Sequence, residues 1–248
     1  MSSAGQIIRI QGWSTDIDTT VEDLSVNGTN NAYLTQPAGV GLDIVSASAA
    51  DDVGSTGVET VRLWYLDTDW QQQHEDISMN GTTTVSTTAT DILRVQYMEA
   101  INVGSGGVAA GAITLTEDGG VVNTYLKIGA GSTFSENGYY YVPAGQKFLV
   151  RAIYPAVGAA MTGETRLELF VQTCADTTEA NIDLDFVERE YVIGNTENVN
   201  IKPFCFDPPI IVQAKCRVRM RAVASAVDQT LMAQMAGVLV PATYIYRP

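Results

Sequence analysis

Between residues 79 and 116 the chain reads MNGTTTVSTTATDILRVQYMEAINVGSGGVAAGAITLT, and few folds are open to such a stretch. Asn80-Gly81 is a turn dipeptide, because both residue types tolerate the positive φ of a tight hairpin turn. The Thr, Val and Ser that follow are β-branched or small and suit a pleated surface. Residues 92–98 then set Leu93, Val95 and Tyr97 on one face of a strand, with Arg94 and Gln96 on the other. Gly104, Gly106 and Gly107 break the chain before a last small-residue strand at 112–116. The pattern is strand, turn, strand, with almost no side chain suited to chemistry. It predicts a scaffold that works through its surface.

A chain of 248 residues can form one large β-domain or two small ones and can bury a core. With 22 glycines and only 17% charged residues it reads as compact and all-β. The net charge of -14 argues against nucleic-acid binding, which calls for a basic footprint. The simplest reading of that acidity is solubility. The charge is uneven: residues 1–200 carry 8 basic and 26 acidic side chains, and residues 201–248 carry 6 basic and 2 acidic. A basic C-terminal stretch on an acidic body can pair head to tail with a neighbouring copy, or face the body of its own chain.

The N-terminus lacks the charged and apolar regions of a signal peptide, and no run has the length of a membrane-spanning helix. Synthesis in a reducing cytoplasm is the expectation, with no membrane partner. Cys174, Cys205 and Cys216 are odd in number and lack CxxC spacing, so they read as buried thiols of a reducing compartment. A Cys205–Cys216 bridge is the alternative.

Strand signals run along the whole chain, at 7–11, 41–46, 59–66, 76–79, 82–87, 91–101, 112–116 and 123–128. They continue at 138–142, 147–153, 165–171, 183–191, 210–222 and 237–246. Asn27-Gly28, Asn80-Gly81 and Asn137-Gly138 are turn signals. In 216–222, Cys216, Val218, Met220 and Ala222 share one face and Arg217, Arg219 and Arg221 the other. Leu167, Leu169 and Val171, and then Ile182, Leu184 and Phe186, alternate with polar neighbours in the same way, Phe170 being an exception. One buried and one polar face indicate an antiparallel β-sandwich, jelly-roll-like, with little helix. Residues 224–236 (ASAVDQTLMAQMA) have helix-forming composition and predict a helical turn or two. The expected organisation is a single β-rich body over 1–248, with 1–55 as a candidate loosely attached segment.

Candidate sites are sparse. His74 is the only histidine; a general base needs a partner and an orienting group, and on a strand Glu75 and Asp76 point to alternating sides. An exposed loop position is expected. Asp16/Asp18, Asp67/Asp69 and Asp183/Asp185 each put two carboxylates on one strand face, which suits Ca²⁺, a glycosidase pair or a solvated edge. Gly104-Ser-Gly-Gly107 lacks the Lys-Ser/Thr of a phosphate loop. Asn27-Gly-Thr29 and Asn80-Gly-Thr82 fit the glycosylation pattern but read as turns. Trp64, Tyr65 and Trp70 raise a sugar-binding platform, although Trp64 and Tyr65 face opposite ways in a strand. In 139–147 (YYYVPAGQK) a strand runs into a Pro143-Ala-Gly145 turn. No catalytic, cofactor-binding or metal residue is assigned, and no cofactor is expected. Arg217, Arg219 and Arg221 are the candidate interaction residues.

The residues also carry a resemblance. DxDTTxED at 16–23, GSTGVETV at 54–61, Leu66-Asp67, MNGTTT at 79–84, LRVQYM at 93–98, the glycine-rich 104–112 and YVPAGQK at 141–147 resemble virion structural proteins of tailed bacteriophages, marine ones especially. The similarity spans about two thirds of the chain and departs from the pattern at Glu59 and Tyr97, where arginines are usual. It implies a non-enzymatic virion part: a head decoration (cement) or minor capsid protein. Its implied partners are the major capsid protein and copies of itself, as trimers or similar oligomers, with no nucleic acid. The alternatives are a tail, baseplate or receptor-binding component, or a carbohydrate-binding β-sandwich module.

Overall fold

A computed structural model describes residues 5–25, 36–119, 123–157, 165–172, 185–193, 203–226 and 229–246. The described chain is all-β, without helix, and every sheet in it is antiparallel. In chain order the strands are β1 (Gln6–Ile17), β2 (Glu22–Asp23), β3 (Leu42–Ser46), β4 (Val58–Asp67), β5 (Gln72–Ser78), β6 (Val85–Ser86), β7 (Ile92–Val103) and β8 (Ile113–Glu117). There follow β9 (Thr124–Ile128), β10 (Tyr139–Tyr141), β11 (Gln146–Val157), β12 (Thr165–Gln172), β13 (Asp185–Ile193), β14 (Phe204–Val212), β15 (Arg217–Ala224) and β16 (Gln229–Pro241).

These strands fall into two compact units, Met1–Asn30 with Gly138–Pro248, and Asn31–Asn137. The N-terminal strand β1 pairs with β16 from Gln6↔Leu239 to Ile17↔Gln229.

The first unit is a sandwich of two sheets, β1-β16-β11-β14 and β10-β15-β12-β13, with β2 added against β15. Its core joins Ile8, Phe148, Val150, Leu231 and Met235 of one sheet to Tyr140, Val218, Met220 and Ala222 of the other. The period-2 reading of 216–222 holds on this apolar side. The helical reading of 224–236 does not. Leu231, Ala233 and Met235 are fully buried while Met232, Gln234 and Ala236 between them are half-buried, which is strand alternation. With β1 on one side and β11 on the other, ladder hydrogen bonds override a helix-forming composition. The single strand expected at 210–222 is two strands separated by a turn at Ala214–Lys215, and Lys215 takes a positive φ of 58°. The Pro143–Gly145 turn stands as expected, with Gly145 at φ 71°, and it carries the chain from β10 in one sheet to β11 in the other.

The second unit holds the sheets β6-β3-β8-β9 and β5-β4-β7. Leu42, Ile44, Ile113, Leu115, Leu126 and Ile128 are the buried row of the first. Val61, Leu63, Ile77, Val95 and Met98 belong to that of the second. Isolated bridges Ile128↔Ser135 and Glu99↔Phe134 tie the segment after β9 to β9 itself and to β7. Asn80-Gly81 does not close a hairpin. Only Gly81 has a positive φ (56°), Asn80 bridges Asp52, and the turn leads from β5 to β6 in the other sheet.

Candidate functional site

Three glycine-containing stretches of the 31–137 unit, far apart in sequence, meet at one residue, two at its carboxylate and the third at its backbone carbonyl. Asp51 is fully buried and uses both oxygens twice. Oδ1 accepts the N–H of Val58 at 2.8 Å and of Ala110 at 2.9 Å. Oδ2 accepts the Ser46 hydroxyl at 2.6 Å and the Gly111 N–H at 2.9 Å. The Asp51 carbonyl in turn accepts the Gly81 N–H at 2.8 Å. A buried carboxylate is tolerable only when its lone pairs are satisfied, and here four donors converge on it. Burial on its own would raise the Asp51 pKa. The Ser46 hydroxyl and the Ala110, Val58 and Gly111 amides outweigh it and hold the group below the ordinary carboxylate value.

Backbone bonds complete the clasp. Gly57 N–H donates to Ala50, Gly104 N–H to Gly57, Gly106 N–H to Thr56 and Ser46 N–H to Gly81, at 2.7–3.1 Å. The glycines are required by proximity. A Cβ on Gly111 would lie 2.6 Å from Ser48 N, and one on Gly106 would lie 2.7 Å from Thr56 O. Asp51 thus fastens the 54–61, 79–84 and 104–112 segments, three of the seven stretches that carry the virion-protein resemblance. With its lone pairs engaged and no exposure, it holds loops and presents nothing to a substrate.

The outer face of β5-β4-β7 carries a row of rings. His74 lies across from Trp64 and Trp64 across from Tyr97 in the strand register. Ring centroids are 5.0 Å apart for His74–Trp64, 5.8 Å for Trp64–Tyr97 and 5.1 Å for Tyr97–Phe134. Trp64 Nε1 donates to Glu99 Oε1 at 2.8 Å, and the Arg62 guanidinium sits 5.9 Å from the Trp64 ring while clamping Asp76 at 2.6 and 2.8 Å. His74 is exposed, as expected, but on a strand and not in a loop. Of the three aromatics first suspected, Tyr65 and Trp70 are buried, and Trp64 alone joins this row. Tyr97 and Phe134 are the members that sequence patterning did not single out; the register of β7 against β4 makes Tyr97 one.

Asp67 serves its own turn. Its Oδ1 accepts the Asp69 and Gln71 amides at 3.0 and 2.8 Å, and its Oδ2 accepts the Gln73 side chain at 2.9 Å. The turn forces Trp70 to φ 61°, and the Arg94 guanidinium lies 5.4 Å from the Trp70 ring. Asp16 lies near the register shift of β1 between Ser14 and Ile17. Asp183, Asn27 and Cys174 fall outside the described residues. Cys205 and Cys216 are free thiols, so the alternative bridge is absent; Cys216 is buried and Cys205 exposed. Among the described residues no group of three or more His, Cys, Asp or Glu is arranged to hold a metal ion.

Arg217 and Arg219 are buried, at 1% and 5% exposure, and Arg221 is half-buried. The row is therefore no open basic patch. Arg219 pairs with Asp23 at 3.1 Å, Arg221 approaches the same carboxylate at 4.0 Å, and Arg217 lies against Tyr141, its Nη1 3.3 Å from the hydroxyl. The β2–β15 pairing, with Arg221 opposite Asp23, brings the acid to the row. Alternation sorted these side chains onto one face correctly; that β2 and β10 flank β15 on one side is tertiary information.

No family profile matches the chain, and no curated protein matches it. Among solved structures it is similar to a chain in the structure of infectious bursal disease virus Gx strain. The identity is 10% and the TM-score 0.27, covering 99% of this chain and 74% of that one. A chain of the Gt strain structure gives 10% identity and a TM-score of 0.24, over 98% and 74%. Overlap at those TM-scores carries no argument about function.

Proposed function

We propose that this protein is a non-enzymatic structural part of a virus particle, a head decoration (cement) or minor capsid protein that stabilises the shell by bridging its subunits. The observation that carries the reading is the clasp at Asp51. The segments that resemble tailed-phage virion proteins are cheap in composition one by one. Three of them meet at Asp51, 54–61 and 104–112 at its buried carboxylate and 79–84 at its backbone carbonyl, which makes those three parts of a single structural device, and such a device serves rigidity and not turnover. A rigid all-β body without an assigned cofactor suits a protein held in place by many surface contacts. Arg221, the half-buried member of the arginine row, is the residue of that row open to a shell contact.

Sugar binding at Trp64 is the weaker reading. Carbohydrate recognition uses an open ring face, and both flanks of Trp64 are taken by His74 and Tyr97. The experiment is electron microscopy of the particle with the protein present and deleted. Density lost from fixed, repeated positions on the head supports the proposal. Density lost from the tail, or absence of the protein from purified particles, overturns it.

A further inference from the structure

The outer face of β1-β16-β11 carries a groove of about 400 Å³, lined chiefly by Ile7, Arg9, Arg151, Tyr154, Ala236 and Val238. Strand register builds it. Arg9 lies across from Ala236 on β16, and Ala236 lies across from Ala152 on β11. A bulge between Val150 and Ala152 takes Arg151 out of the ladder and turns it to solvent. Two cationic side chains thus flank a floor made of alanine. Ile7 and Tyr154 beside them are 69% and 46% exposed. Among the described residues neither arginine is ion-paired; Arg151 instead sits 5.3 Å from the Tyr246 ring. Exposed apolar side chains thus surround one unpaired cation, Arg9, and a second, Arg151, that is held against Tyr246, whose hydroxyl donates to Asp207.

The complement is on the same sequence. The Asn31–Asn137 unit carries 13 acidic side chains against 3 basic, whereas the other unit carries 15 against 11. The outer face of β5-β4-β7 joins Glu99 and Asp76 to the Trp64, Tyr97 and Phe134 rings, with Ile101 42% exposed beside them. On this face Arg62 already clamps Asp76 and Trp64 Nε1 already donates to Glu99, so what Arg9 and Arg151 would meet is the remaining lone pairs of these carboxylates at the edge of the Tyr97 and Phe134 rings.

We infer that the groove of one copy docks onto the acidic aromatic face of β5-β4-β7 in a second copy. The contact is head to tail, joining two different surfaces, and repeated it generates a ring or an open chain. It deepens the virion reading, in which repeated copies pack together, and rests on it for its purpose.

The test uses the purified full chain, with mass measured by light scattering and sedimentation. Wild type associates at low salt and dissociates at about 1 M salt, where the screening length is about 3 Å. Arg9→Glu with Arg151→Glu keeps a sound acidic face but a reversed groove. Ile101→Lys keeps a sound groove, adds a cation to the acidic face and disturbs no polar partner. Each variant alone associates at least about 100-fold more weakly, and the two mixed form a one-to-one dimer, because one sound surface of each kind remains. Melting curves close to wild type establish that both are folded; if the double reversal melts early, Arg9→Gln with Arg151→Gln takes its place. A wild-type monomer at about 100 μM in low salt overturns the inference. So does folded-variant association at wild-type strength, or a mixture that stays monomeric. A protein that associates through this groove yet is missing from particles defeats the virion reading alone; a monomer that decorates particles defeats this inference alone.

Discussion

The carboxylate of Asp51 lies 2.6 Å from the hydroxyl of Ser46, which donates to it, and this contact is one of four that make a buried anion the fastening point of the 31–137 unit. Asn at this position keeps the shape but turns one acceptor into a donor that faces existing donors. Asp51→Asn is expected to cost about 3 kcal/mol, and Asp51→Ala more, since several buried donors then lack a partner. Denaturant unfolding of the two variants against Ser46→Ala, which removes one donor only, checks the order.

The same carboxylate sets a pH dependence. Its folded pKa is depressed, so its contribution is in full force above the unfolded value of about 3.9 and is lost as pH falls through the folded value. Unfolding free energy followed below about pH 4 should fall less steeply in Asp51→Asn than in wild type. Equal slopes would remove the carboxylate from the account.

The glycines around the clasp separate by cause. Gly111→Ala places a Cβ 2.6 Å from Ser48 N and 2.7 Å from Ser48 Cβ, and is expected to cost about 2 kcal/mol or more. Gly54 and Gly107 have open space where a Cβ would stand but positive φ values of 77° and 72°. Alanine there should cost only about 1 kcal/mol, from left-handed strain. Thermal or denaturant unfolding of the three single variants would expose a failure of this ranking.

How much of this was legible in the residues differs from place to place. The alternation at 216–222 was readable because a strand sorts side chains by parity whatever its neighbours are. The fate of its arginines was not, since burial depends on Asp23, almost two hundred positions away, and on what flanks the strand. Residues 224–236 misled because Ala, Gln, Met and Leu favour a helix when alone, while β1 and β11 supply ladder partners on both edges. Asp51 escaped notice for a related reason: three of its four donors are backbone amides, which every sequence has. The signal at hand was an acid, Asp51-Asp52, closing a run of small residues (SASAADD). Tyr97 was visible as a strand residue, but its ring stack needs the register of β7 against β4.

Arg219 and Asp23 form a buried pair, with side-chain exposures of 6% and 7%. Removing one partner of such a pair leaves a charge in the interior, so Arg219→Met should cost about 3 kcal/mol, and Arg219→Met with Asp23→Leu less than the sum of the single changes. Arg221→Ser, with Arg221 itself 20% exposed, should stay within about 1 kcal/mol. Particle occupancy is therefore best probed with Arg221→Ser; substituting all three arginines would confound lost contact with lost stability.

Tyr97 offers a spectroscopic check on the aromatic row. Burial first, then the Glu99 charge, push its phenol up to about 12, with Arg62 opposing them. An acid whose folded pKa is raised contributes stability that is complete below its unfolded value, near 10, and is lost as pH climbs towards the folded value. Ultraviolet titration should therefore show tyrosine ionising well after an ordinary phenol, and Tyr97→Phe should reduce that late step. The same substitution should leave stability at neutral pH nearly unchanged, because the ring stack between Trp64 and Phe134 needs the ring and not the hydroxyl. Tyr65 and Tyr246 are raised as well, so the reading is the amplitude of the late step, which should fall by one tyrosine in Tyr97→Phe; an unchanged amplitude means the burial assigned to this face is wrong.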